Sequence, residues 1–265
     1  MKLKPVASQI LRSAGMFEFA DRCRGGIDSL KSYRSRQRFR QENPGFALPP
    51  ADLAYDAYGN VNPEIYRRRG LEHARAIAGL IRKHRPGVRV ITEWGCGPMR
   101  VLRHMPALFP DSEIIGLDYN PQTIEWCKRE FTTVRFLLNQ LSPPLPLKDG
   151  AADVIYNISV FTHLSEPLHY AYVSDLVRCL APGGILISTF QGDRYKDKLT
   201  VAERAIYDQG RIVVRDGVTE GKRGFAAFHN PAFVRGLFQD LEILEHTHDS
   251  TDWFDQDFWV VKRPG

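Results

Sequence analysis

The chain has 265 residues, 43% hydrophobic and 25% charged, which suits one globular α/β domain with an appendage and a sizeable core. No apolar run approaches the ~20 residues a membrane helix needs, and no apolar stretch of a secretory leader follows the N-terminal lysines. Four scattered cysteines, Cys23, Cys96, Cys127 and Cys179, form no C-x-x-C pair, so the expectation is a cytoplasmic protein with no metal site.

The net charge of +5 is uneven. Residues 1–42 hold ten basic side chains, from Lys2 to Arg40, against the acids Glu18, Asp21, Asp28 and Glu42. The remaining chain is almost neutral. Ile10, Leu11, Phe17, Ile27 and Leu30 are interspersed, so this arm is expected to be partly helical. Two uses fit it: contact with an anionic partner, such as a membrane surface, nucleic acid or acidic glycan, or a solvated helix packing on the domain or a second subunit. Residues 1–50 are set apart as a basic extension and linker, closed by Pro49-Pro50, and 51–265 as the main domain.

Ile65, Leu71, Ala74, Ile77, Ala78 and Ile81 keep a helical spacing from about Glu64 to His84, ended by Pro86-Gly87. Alternation then begins: a strand over 88–93, a helix over 100–107, a strand over 113–118, a helix from Pro121 to about Phe131, and a strand over 134–138. A proline-rich loop (Pro143, Pro144, Pro146) leads to a strand over 153–158 and a helix over 167–180. Pro182-Gly183-Gly184 turns the chain into a strand over 185–190. This rhythm predicts a doubly wound, Rossmann-like α/β sheet with helices on both faces. Residues 191–230 break it, with only a short strand over 211–215 evident. A helix over 231–238, a strand over 241–244 and a last strand over 258–261 follow.

The most informative stretch is Val90-Ile91-Thr92-Glu93-Trp94-Gly95-Cys96-Gly97-Pro98. A buried strand ends near an acid and breaks into a glycine turn, where a ligand can lie against the main chain. A second acid, Asp118, closes the next strand 25 residues on. That is the geometry of a nucleoside site in a βαβ unit, with the second acid gripping ribose hydroxyls. Arg100 stands where a dinucleotide fingerprint needs a third small residue, which favours adenosine without a pyrophosphate.

With these motifs the chain resembles the class I S-adenosylmethionine-dependent methyltransferases over roughly residues 60–263. Glu93-Trp94-Gly95-Cys96-Gly97 is similar to the family's first motif and Asp118 to its second. Asp153 to Leu164 resembles the fourth-strand segment, and Leu180 to Thr189 the turn into the fifth strand. The resemblance implies a seven-stranded sheet, mostly parallel with the last strand antiparallel. It implies S-adenosyl-L-methionine as cofactor, held by Glu93, Gly95, Cys96, Gly97, Asp118, Tyr119, Asn139 and Ser159. Asn139 stands at the adenine-side position. Met99 occupies a place where many members carry a further glycine, so a tighter loop is expected. Residues 191–230 follow the fifth strand at the ligand edge of the sheet and are the candidate acceptor lid.

Methyl transfer from a sulfonium needs alignment, and a base if the nucleophile is a hydroxyl. Candidate catalytic residues are His163, after the fourth strand, and His229, at the end of the insert. Each has a structural alternative: His163 as a loop-orienting histidine and His229 as helix-entry packing. Gln256-Asp257 reads as structural. His246-x-His248 lacks a third ligand, and Trp253, Phe254, Phe258 and Trp259 read as packing. Likeness to bacterial small-molecule and glycan enzymes implies O-methylation of a sugar, glycan or small metabolite. A nucleic-acid methyltransferase using the basic arm and a non-catalytic scaffold remain alternatives.

Overall fold

The computed structural model describes residues 15–247 and 255–265; Ile10, Leu11, His248, Trp253 and Phe254 lie outside them. Helices α1 (Phe17–Glu42), α2 (Ala51–Tyr58) and α3 (Pro63–His84) precede the sheet. Then come β1 (Val90–Trp94), α4 (Met105–Leu108), β2 (Glu113–Asp118), α5 (Pro121–Glu130), β3 (Arg135–Leu138) and β4 (Ala152–Asn157). Helix α6 (Glu166–Cys179), β5 (Leu180–Phe190), α7 (Val201–Tyr207), β6 (Val213–Arg215) and β7 (Ala226–Phe228) follow. The described chain closes with α8 (Pro231–Leu237), β8 (Glu242–Thr247) and β9 (Asp257–Lys262).

Three helices start by one device. Asn62, Asn120 and Asn230 each precede a proline and accept backbone N–H bonds from the first turn. The amide side chain satisfies orphan donors while proline fixes the first helical φ. The helix expected over 100–107 is shorter: a 3-10 turn at Leu102–His104 and a single α-turn. Pro106 tolerates only the start of a helix, and residues 97–101 are spent on the glycine loop.

The seven-stranded sheet runs β3-β2-β1-β4-β5-β9-β8. β9 is antiparallel to both of its neighbours, β5 and β8, while β1 to β5 pair in parallel. Alternate strand residues feed two core layers, as a pleated strand requires. Ile91, Val154, Tyr156, Ile185, Ile187 and Val260 pack with Ile77 and Ile81 of α3 and Trp126 of α5. Trp94, Ile155, Leu186 and Trp259 pack with Leu176 of α6 and Leu237 of α8. Both faces are therefore covered, as parallel sheets demand.

The described part of the basic arm is docked. A Cβ on Gly25 would stand 2.7 Å from the Tyr55 ring, so α1 closes directly on α2. The buried Arg36 guanidinium donates to the carbonyls of Val61 (2.8 Å) and Pro49. Asp21 pairs with Arg223 of the insert, and Glu18 accepts the Thr219 N–H at 2.9 Å.

Candidate active site

Chain order reverses between β1 and β4: from β1 the sheet grows outward through β2 and β3, then returns to β4 on the other side. The loops leaving these strands diverge and open a crevice at their C-terminal ends. A cavity of about 340 Å³ occupies that place. Glu93, Gly95, Cys96, Gly97, Asp118, Tyr119, Asn139, Ser159 and His163 all line it.

The glycine loop is fixed from two sides. Gly95 and Cys96 donate backbone N–H bonds to the Leu117 carbonyl, and Gly97 donates to Asp118 Oδ2 at 2.9 Å. Asp118 Oδ1 accepts the Asn120 N–H at 2.9 Å, so each carboxylate oxygen keeps capacity for a further donor. Burial raises this carboxyl to about 6 against the pull of the two backbone donors. Glu93 is buried below the loop, accepts the Tyr156 hydroxyl at 2.8 Å, and is raised by burial to about 8. Gly95 has φ +75°, and a Cβ there would stand 2.4 Å from Val160 Cγ2.

Met99 carries the glycine-like backbone itself, at φ +65°. A left-handed non-glycine residue costs roughly 1–2 kcal/mol. Its fully buried side chain packs in the core beside Leu102, and its N–H reaches the Gly97 carbonyl at 2.8 Å. The departure from glycine thus leaves the loop's conformation glycine-like and anchors it in the core. Cys96 contributes backbone to the cavity. Its Sγ lies over Gly116, 3.0 Å from where a Cβ would be, so the thiol faces the sheet.

Asn139 donates from Nδ2 to the Gln140 carbonyl, which fixes the amide's orientation. Its Oδ1 is buried with no hydrogen-bond partner among the described residues. Such an acceptor is costly unless a ligand supplies a donor, and an adenine amine is one. Tyr119 lines the cavity and donates its hydroxyl to the Gly221 carbonyl at 3.0 Å, tying the β2 tip to the insert. Ser159, at φ +61°, accepts from Gln256 Nε2 at 2.7 Å.

The two candidate catalytic histidines part company. His163 Nδ1 faces the Phe225 carbonyl at 2.8 Å, so this nitrogen carries the proton and Nε2 is the basic one. Burial lowers its pKa, which keeps the ring neutral. His229 is a correction. It does not line the cavity; its ring is sealed under Phe190, with Nε2 2.8 Å from Nε2 of His169. His169 Nδ1–H is committed to the Ser165 carbonyl, so His229 donates and His169 accepts. Burial holds His169 down to about 4 and His229 well below the ordinary range. A turn just past β7 draws His229 inward, where its N–H bonds the Gln191 carbonyl.

Several lining residues carry no motif. Asp56 and Tyr58 come from α2, Arg69 and His73 from α3. A Cβ on Gly70 would meet the Arg100 carbonyl at 2.2 Å, so α3 lies directly on the glycine loop. Arg100, which also lines the cavity, sets its guanidinium over the Tyr58 ring at 4.3 Å. Gln191, Tyr195, Gly221 and Arg223 come from the insert. Gln256 bridges Ser159 and Thr189 and also faces the cavity, beyond its expected structural role. The pair Gln256-Asp257 was the one visible signal; for Asp56, Tyr58 and Arg223 there was none.

Residues 92–188 match the model of a methyltransferase domain. This segment is a class I S-adenosylmethionine-dependent methyltransferase domain. Over 126 residues the chain is 34% identical to trans-aconitate 2-methyltransferase of Methylobacterium radiotolerans, a match covering 47% of either chain. Its counterpart from an Acidovorax species is 30% identical over the same length and share. The chain thus spans about half the length of the curated relatives it matches. Among solved structures, CalS10, an amino pentose methyltransferase from Micromonospora echinaspora with S-adenosylmethionine bound, has a TM-score of 0.55 at 16% identity, over 73% of this chain and 91% of that one. DesVI of Streptomyces venezuelae has a TM-score of 0.53 at 16% identity, over 75% and 93%. These two carry the methyltransferase domain's fold. Among the described residues no helix is long and apolar enough to cross a membrane.

Proposed function

We propose that the chain transfers a methyl group from S-adenosylmethionine to a hydroxyl oxygen of a small acceptor, a sugar, glycan or small metabolite. The observation that carries this reading is the pairing of two walls in one cavity. One wall presents Asp118 and the unpartnered Asn139 Oδ1; the other presents a neutral His163 with Nε2 as its base.

The donor set fits the cofactor. Asp118 offers lone pairs to a ribose diol, and Asn139 Oδ1 accepts from the adenine amine. Arg69 and His73, on the helix that covers the glycine loop, line the same cavity and would meet the amino-acid end. When bound, the cofactor supplies an activated methyl on a sulfonium leaving group, so the protein's part is alignment and proton removal. Gln191, Tyr195 and Arg223, from the insert, serve as the acceptor wall and exclude water. His163 Nε2 removes the hydroxyl proton as the oxygen attacks, while the Phe225 carbonyl holds the ring in that tautomer. The curated relatives' names point to a carboxylate acceptor, which is a nucleophile without a base.

Calorimetric titration with S-adenosylmethionine and with its demethylated product tests the first half: absence of binding by both refutes the reading. An acceptor screen with His163→Ala tests the second. Loss of roughly 10²–10⁴-fold in kcat with cofactor affinity retained is expected for a general base. Unchanged turnover would assign a carboxylate acceptor and leave His163 a loop-orienting role.

A further inference from the structure

Helix α1 has two faces of opposite character. Its docked face holds Gly25, Arg36 and Phe39 against the domain. At about 3.6 residues per turn, Met16, Phe19, Ile27 and Leu30 fall on one stripe of the opposite face. Their exposures are 53%, 68%, 51% and 79%, and Tyr33 at its edge is 62% exposed. A monomer leaves large apolar side chains exposed singly, seldom as a row along one helix.

The charges are sorted in the same way. Glu18 and Asp21 are turned to the domain, bound to the Thr219 N–H and to Arg223. Exposed Arg22 borders the apolar stripe on one side, and exposed Arg24 and Lys31 border it on the other. From Met16 to Leu30 the outward surface is therefore apolar along its middle and cationic along both margins, and exposed Arg34, on the stripe's own line, ends it. This is the pattern of a helix that lies in a bilayer interface, its apolar face among acyl chains and its cations among headgroups. Two other occupants fit less well. A second copy would set cation against cation, and a nucleic-acid backbone would meet the margins but leave the stripe in water.

We infer that the outward face of α1 binds an anionic bilayer surface. The bilayer would lie beside the acceptor wall, since α1 packs on α2 and on Thr219 and Arg223. The test is sedimentation of the full chain with phosphatidylcholine vesicles, with and without phosphatidylglycerol. Binding is expected only where phosphatidylglycerol is present. The double substitution Phe19→Ser/Leu30→Ser should weaken it by at least about tenfold, the scale of withdrawing two large apolar side chains from an apolar phase, with unchanged thermal unfolding. A Leu30→Trp variant should show blue-shifted emission on those vesicles. Equal partition onto both vesicle types, no partition onto either, or wild-type binding by the double variant would overturn the proposal. So would conversion of a dimer to a monomer by the double variant, which would assign the stripe to a second copy.

Discussion

The two walls of the cavity are built by different means. The wall of Glu93 to Gly97, Asp118 and Asn139 comes from three strand tips within one run of the chain, and backbone bonds fix it. Asp118 alone holds two main-chain N–H groups. The facing wall gathers Gln191, Tyr195 and Arg223 of the insert with Gln256 before β9, while Tyr58 of α2 lies against the glycine loop, its hydroxyl accepting the Arg100 N–H at 3.2 Å. Side chains hold the facing wall together: Tyr119 to Gly221, His163 to Phe225, Asp21 to Arg223. A ligand that is always the same suits a backbone cradle, which mutation cannot easily reshape. An acceptor that varies between enzymes suits a wall of exchangeable side chains.

The largest effect expected is at the cradle. Gly95→Ala asks for a left-handed alanine whose Cβ meets Val160 Cγ2 at 2.4 Å. Strain and overpacking together should cost roughly 2–4 kcal/mol, divided between stability and cofactor affinity. Adding Val160→Ala should relieve the contact and leave the strain. Calorimetry and thermal melting read both, and wild-type values in Gly95→Ala would show that the cradle is softer than the contrast requires.

Asp118→Ala comes next, with cofactor affinity falling by about 1–3 kcal/mol, the scale of lost bonds to a charged group. Its pH dependence gives a sharper signature. Burial raises this carboxyl to about 6. Binding that needs the carboxylate should therefore weaken as pH falls through about 6, by up to about tenfold per unit. Stability runs the other way. A carboxyl raised on folding favours the native state at low pH, and this contribution is lost as pH climbs from about 4 to about 6. The melting temperature gained on adding cofactor should thus grow across that window. Asp118→Asn should flatten both trends.

This contrast also decides what was legible in the sequence. The strand tips that carry Glu93 and Asp118, the glycine turn and the strand–helix alternation were readable, because local hydrophobic pattern and turn chemistry act within a few residues. The left-handed backbone at Met99 was not: sequence gives the departure from glycine but not the buried pocket that tolerates it. His163, after the fourth strand, and His229, at the end of the insert, were equal candidates in the sequence. What separates them is tertiary: the Phe225 carbonyl for one and the His169–Phe190 pocket for the other. Strand β7 was missed because Ala226-Ala227-Phe228 has little pattern of its own and is specified by pairing with Val213 to Arg215.

The smallest effect, and the most direct check on the side-chain wall, is at the Asp21–Arg223 pair. Both side chains are 28% exposed, so removing the pair should change stability by less than about 1 kcal/mol. Its consequence should be positional. Arg223 also stacks over Tyr55 at 4.5 Å and reaches the cavity, so Asp21 fixes where that cation stands. Asp21→Asn should raise the acceptor KM several-fold, with kcat, cofactor affinity and melting temperature near wild type. If cofactor affinity fell as far as in Asp118→Ala, the two walls would act as one unit and the division between cradle and wall would fail. If no parameter moved, Arg223 would be held by Tyr55 alone, and α1 would be free to serve its outward face without touching the chemistry.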